Sequence, residues 1–373
     1  MKSIKNKLTI ATCTLLSQQS NNAVALENAW EIDNSFLYYS EADDRVTVAK
    51  FISAVGGDVS NYDRVNLKAV LDTMSGSTPS GAVKTSGGSN TVTGASGGGG
   101  SAITDPNASA LAKFDDTRLA ISLNWSHAHQ NNWTVDYNGA VSVENDYRSF
   151  SGAITVNKET VNKDYKFTVG LAGTYDEIFQ VGVGGTPVPL TQIADNQFAG
   201  QGEKNTTDLV MGVTHVINRR TVGQVSLAYS LSKGYLTDPY KVFSVVDRAT
   251  DIPIDNSSYF EGRPGDRQRM SLTFHLNHQT FPSNNIIHGS YRYYTDDWEV
   301  DSHTLDLNYR FRFANTNWIE PRIRLYTQTK AYFYQNQFYV DDGGASDPSV
   351  NFPEYISADY RLDDMSSVTP GIR

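Results

Sequence analysis

From Leu305 to Phe313 the chain reads L-D-L-N-Y-R-F-R-F. Leu305, Leu307, Tyr309, Phe311 and Phe313 are apolar, and Asp306, Asn308, Arg310 and Arg312 between them are polar or charged. Successive strand side chains point to opposite faces, so this segment has one oily face and one charged face. It cannot lie between two apolar layers, because both arginines would be buried unpaired. One face needs water, and the other needs a core or lipid. At about 3.4 Å per residue and a tilt near 45°, such a strand climbs roughly 20 Å, close to the apolar band of about 25 Å on a membrane barrel.

The same alternation recurs along the chain. It predicts strands at Glu31 to Tyr39, Arg45 to Ile52, Arg64 to Leu71, Thr117 to His127, Trp133 to Val143, Arg148 to Val156 and Tyr165 to Thr174. Two more carry Leu209 to Ile217 and Val225 to Leu231. Tightly linked ones follow at Arg267 to Thr280, Ile286 to Tyr294, Trp298 to Phe313 and Trp318 to Phe333, and a last one at Tyr355 to Leu362. The long connections are Asp72 to Asp116, Tyr175 to Thr206, Ser232 to Asp266 and Tyr334 to Glu354. The first holds Gly97 to Gly100 among many Ser and Thr residues, a composition that favours flexibility. All four follow odd-numbered strands. In an up-and-down meander they therefore share one side, the asymmetry of outer-membrane barrels, which have short periplasmic turns and long extracellular loops. The expectation is an all-β, antiparallel up-and-down transmembrane β-barrel of about 14–16 strands.

The N-terminus fits export. Lys2, Lys5 and Lys7 precede an apolar run from Leu8 to Leu16, and Ala23-Val24-Ala25 is a small-x-small cleavage site. A signal peptide is expected over residues 1–25 and a barrel domain over 26–373. Cys13 is the only cysteine, so the mature chain has neither a disulfide nor thiol chemistry. With 31 Lys+Arg against 41 Asp+Glu, the acidic balance disfavours nucleic-acid binding. A mean hydropathy of −0.42 is compatible with a barrel, in which only alternate strand residues meet lipid.

An ordered set of motifs resembles an uncharacterised family of bacterial outer-membrane β-barrel-like proteins. The set is W-E-I-D-N-S-F-L-Y-Y from Trp30, D-T-M-S-G-S-T-P-S-G-A from Asp72, F-D-D-T-R from Phe114, G-Y-L-T-D-P-Y-K from Gly234, E-G-R-P from Glu261, R-Y-Y-T-D-D-W from Arg292 and Y-I-S-A-D-Y-R-L from Tyr355. The resemblance implies an outer-membrane barrel without an assigned activity. It also implies a neighbourhood of small lipoproteins and FMN transferases, hence a partner such as a small lipoprotein or another periplasmic or surface redox protein. No residue marks a flavin site, and no cofactor is expected. The end Pro370-Gly371-Ile372-Arg373 resembles the start of a further strand and lacks a terminal aromatic, so the family's barrel is expected to continue past Arg373.

Several groups are candidates for chemistry. Arg310, Arg312, Arg322, Arg324 and Lys330 share the face opposite the apolar one, so they would line the lumen. They either attract anions or are neutralised by Asp306 and Glu320 in a cross-strand ladder, the favoured alternative. In the loop motifs Asp238-Pro239 is a turn signal, Tyr240 an anchor, and Glu261 with Arg263 a structural pair. His127 and His129 share a strand face but fall short of a four-ligand zinc set. Asp341-Asp342-Gly343-Gly344 with Asp347 lacks the spacing and closing Glu of a calcium loop. No local motif marks a nucleophile, and no metal or catalytic residue is expected. The functional expectation is a pore, or a sleeve or scaffold for a partner. A hydrolase at the extracellular rim and a soluble secreted β-protein are the alternatives.

Overall fold

A computed structural model describes residues 30–41, 46–81, 111–313, 317–341 and 348–373. The wall is one fifteen-stranded antiparallel sheet in sequence order. It begins with β1 (Glu31–Ser40), β2 (Val46–Asp58), β3 (Asp63–Pro79), β4 (Leu111–His129), β5 (Trp133–Val143), β6 (Tyr147–Glu159), β7 (Tyr165–Ile178), β8 (Gly202–Asn218) and β9 (Thr221–Gly234). The next connection forms its own hairpin, β10 (Val242–Asp247) and β11 (Ile252–Phe260). The wall resumes with β12 (Asp266–Gln279), β13 (Ile286–Asp296), β14 (Ser302–Arg312), the short β15 (Trp318–Ile319) and β16 (Pro321–Gln328). β17 (Phe338–Val340) joins β10 outside the wall, and β18 (Met365–Ile372) pairs with β16. The fold is that of an outer-membrane up-and-down β-barrel.

The alternation is read out directly. On β4, Leu119, Ile121 and Leu123 are 50%, 48% and 49% exposed, although they are among the most apolar residues present. The same outward face carries Ile154 on β6, Leu171 on β7 and Leu307 on β14. A belt of this kind is stable against hydrocarbon and not against water. A soluble β-protein would enclose these side chains in its core, so that alternative is set aside. At the short-turn end the belt meets an aromatic margin, with Trp125 stacked on Tyr137 at 5.0 Å and Lys158 over the Trp133 ring at 4.9 Å. Such margins sit at membrane–water boundaries. The opposite face is polar. It is lined by small residues where β6 to β9 meet, and Ala172 and Val210 are buried there beside Ala153 and Ala228.

The long connections do lie at one end. The links after β3, β7, β9 and β16 are long, whereas those after β2, β4, β6, β8, β12 and β14 at the other end are short. Three expectations are corrected. Tyr355 to Leu362 is not a strand: Ile356, Ser357, Ala358 and Asp359 are all buried, and Tyr360–Leu362 is a turn of 3-10 helix. The segment is enclosed on both sides, so its apparent period of two does not mark a half-buried strand. Pro370 to Ile372 belong to β18, which begins at Met365, so they continue a strand and do not start one. The segment Asp72 to Asp116 is partly wall, because Asp72 to Pro79 pair with Arg118 to Leu111 in the β3–β4 ladder. The signal segment, the turn at 42–45 and Gly97 to Gly100 lie outside the described residues.

Candidate functional site: a folded cap on the barrel

The long connections build a cap with two apolar clusters. In the first, Phe243, Val245, Tyr259, Val340, Ile356 and Ala358 are buried. Phe352 packs edge-on against Phe243, Tyr259 and Phe338 at 5.1, 4.8 and 5.0 Å. The second gathers Trp298, Val300, Ala331, Phe333 and Leu362, and the Trp298 indole donates to the Asp266 carbonyl at 3.0 Å. The link after β3 reaches the same body, where the Val242 amide donates to the Ser80 carbonyl at 3.0 Å. The link after β7 is tied in by the Val181 amide, which donates to the Tyr240 hydroxyl at 3.0 Å. Tyr240 is thus the anchor its motif suggests.

At the cap's centre the loop motifs converge on one buried charge network. Glu261 and Asp359 are 0% and 1% exposed. Arg263 bridges them, at 2.6 Å to Glu261 and 2.9 Å to Asp359. Arg361 joins Asp359, at 2.8 Å, to Asp238, at 2.7 Å. Glu261 also accepts the Asp238 amide at 2.9 Å and the Ser357 hydroxyl. The Asp238 carboxylate caps its own turn by accepting the Tyr240 amide at 3.0 Å, as an Asp before Pro commonly does. An isolated antiparallel bridge between Gly262 and Ile356 holds the two motif segments side by side. Lys241 is buried beside Tyr360, its ammonium 5.4 Å from the ring centre. Three acids therefore meet three bases.

Electrostatics sets their protonation. Burial pushes the Glu261 carboxyl up, against the pull of Arg263. Burial also works against ionised Asp359, but Arg361 and Arg263 outweigh it and hold the carboxyl well below the usual range. Asp238 is lowered in the same way by Arg361 and Lys241 against its burial. Burial lowers Lys241. A network in which every buried charge meets an opposite one, with only the Arg263 Nε left without a partner, suits a structural clasp.

The other candidates are placed as follows. Arg310 pairs with Glu320 at 2.6 Å, and Arg322 and Arg324 share Asp306 at 2.6 and 3.6 Å. These five residues carry the cross-strand ladder on the inner face. Arg312 lies at the exposed end of β14, and its amide donates to Asn285 at 3.0 Å. Lys330 is corrected: β16 ends at Gln328, so Lys330 lies exposed in the following link and not on the wall. His127 bonds Asp63 at 2.6 Å, and its ring meets that of His129 edge-on at 4.4 Å on the outward face. Asp341 pairs with Arg248 at 2.7 Å, and the rest of its acidic run lies outside the described residues. Among the described residues, one trio of acids converges: Asp116, Glu144 and Asp146 within 4.8 Å. The Asn145 amide already binds Asp116 there, at 3.2 Å.

Residues 5–373 match the family described as "Protein of unknown function (DUF3570)". The chain belongs to this family. No curated protein matches it. Among solved structures it is similar to the ferric enterobactin receptor PfeA of Pseudomonas aeruginosa, with 10% identity and a TM-score of 0.44 over 84% of this chain and 45% of that one. It is also similar to the siderophore receptor PirA of Acinetobacter baumannii, with 11% identity and a TM-score of 0.43 over 86% and 45%. The outer membrane protein OmpT of Vibrio cholerae gives 10% identity and a TM-score of 0.40 over 92% and 98%. The chain thus spans less than half the length of the two receptors. No ligand or activity is carried over from any of them. Within this DUF3570 chain, five of the motifs noted in the sequence, those from Asp72, Gly234, Glu261, Arg292 and Tyr355, are pieces that meet in the cap.

Proposed function

We propose that this chain is a non-catalytic outer-membrane scaffold that holds a rigid, folded cap at one mouth of the barrel for a partner to engage. The carrying observation is the clasp: Arg263 and Arg361 tie three separate segments together through buried carboxylates. Loops that only fringe a pore need no such core. The long-loop side is extracellular in barrels of this type, which puts the cap at the cell surface. A hydrolase at the rim is poorly served, because all seven histidines lie in wall strands. The one near the cap end, His303, is engaged by the Tyr291 hydroxyl at 2.6 Å.

The test is a planar-bilayer recording of the purified chain, together with crosslinking in intact cells from residues placed on the cap. The scaffold reading expects little or no steady conductance and a discrete crosslinked partner. The first partner class to try is the one that the family resemblance implies, a small lipoprotein or another redox protein outside the cytoplasm. A large, stable conductance with no crosslinked product would sink the reading in favour of a pore.

A further inference from the structure

The inner face of the wall carries an uneven charge. Most cations there meet a carboxylate: Lys50 and Arg118 share Asp72, and Lys204 reaches Asp176. Across β12, β13, β14 and β16, however, seven arginines, with Arg312 at an exposed strand end, meet only Asp296, Asp306 and, just before β16, Glu320 among the described residues. Arg267 occupies Asp296, although Arg269 stands opposite that residue in register. Arg269 instead donates to the hydroxyls of Ser230 at 2.7 Å and Ser232 at 2.6 Å, and its Nε is buried without a partner. Arg292 has no ion pair among the described residues. It stands between Thr273 on β12 and Thr304 on β14, directly opposite both in register. Neither hydroxyl is engaged among the described residues, and all three side chains are half-exposed on the inner face.

We infer that Arg292, with Thr273 and Thr304, forms a lumenal binding site for a small phosphate-type oxyanion, with Arg269 and Arg324 adding to the field. Directly opposed side chains in a sheet are about 5 Å apart, so an anion held by the guanidinium lies within reach of the threonine hydroxyl on one side or the other. A guanidinium presents two parallel N–H donors, which suits an oxyanion better than a point charge does. A concave wall with an excess of one charge also raises the local concentration of its counter-ion. The inner face is turned away from the apolar belt, so the ligand is a dissolved anion and not a lipid headgroup. The site does not depend on the role proposed for the cap.

The experiment is calorimetric titration of inorganic phosphate into the full chain in detergent at low ionic strength. Arg292→Gln is expected to weaken binding at least tenfold. Arg220→Gln, which removes a cation from a short turn where it covers the Phe281 ring at 4.2 Å, is expected to leave binding unchanged. The Thr273→Val, Thr304→Val double variant keeps the charge and tests the site even if Arg292→Gln fails to fold. It too is expected to weaken binding. Absence of phosphate binding by the wild-type chain overturns the inference. So does equal binding by the wild-type chain and either site variant.

Discussion

Replacing Arg263 by Met tests whether the clasp holds the cap. The side chain is 7% exposed and lies between two carboxylates that are 0% exposed. Removing one partner of a buried ion pair costs about 3–5 kcal/mol, because the other charge stays buried and uncompensated. The lower end applies here. Asp359 keeps Arg361, and Glu261 keeps the Ser357 hydroxyl and the Asp238 amide. A loss of about 3 kcal/mol corresponds to a rise of roughly a hundredfold in transient opening of the cap. Hydrogen exchange read by mass spectrometry on peptides from residues 242–260 and 355–362 measures that opening. Wall peptides such as 119–127 are expected to keep wild-type protection. Adding Glu261→Gln should recover part of the loss, since one stranded charge is removed. A rise below threefold, or an equal loosening of the wall, would refute the reasoning.

Three further outcomes are expected. Gly81 has φ +97°, and a Cβ there would lie 2.2 Å from the Val242 carbonyl oxygen, so Gly81→Ala should loosen the cap while Gly139→Ala, with nothing within 4 Å, should not; hydrogen exchange over 242–260 separates them. Leu123→Arg places a charge on the lipid face and should lower stability by about 2–4 kcal/mol if it sits near the midplane, measured by urea unfolding in phospholipid vesicles. The third concerns pH. A raised Glu261 binds its proton more tightly in the folded cap than in the unfolded chain, so its contribution grows as pH falls towards the unfolded value of about 4.3. The lowered Asp359 and Asp238 contribute above their unfolded value of about 3.9 and lose that contribution below it. Cap protection, corrected for intrinsic exchange, should therefore rise as pH falls towards the unfolded value of Glu261 and be lost progressively below about pH 4. Glu261→Gln should abolish the rise and keep the loss.

The wall was legible because its physics is local. A strand such as Leu305 to Phe313 declares both faces within a few residues, and the side on which the long connections fall follows from counting. The cap was not legible, because it is enclosed on all sides. Val242 to Val246 are all buried in succession, so no period marks which face is which. The charge network was visible only as fragments. Glu261 and Arg263 are neighbours in sequence, but the Asp359 that completes them is 96 residues away from Arg263. Arg292 stands in the sequence inside the R-Y-Y-T-D-D-W motif. Read as a strand, Tyr291 and Tyr293 on one side and Ser290 and Arg292 on the other show the same two-faced alternation, which would have placed Arg292 inside.

The distance from Arg361 back to Asp238 is 123 residues, and the chain between them includes β12, β13, β14 and β16. Shutting the clasp before those strands are ordered costs the loop-closure entropy of that whole stretch. Contacts between distant segments are disfavoured until the chain that separates them is ordered. A closed cap thus marks a wall laid down through β16, and an assembly arrested before that point would display an open, protease-sensitive hairpin of β10 and β11. The cap's resistance to cleavage is then a gauge of how far an individual molecule has progressed in its insertion.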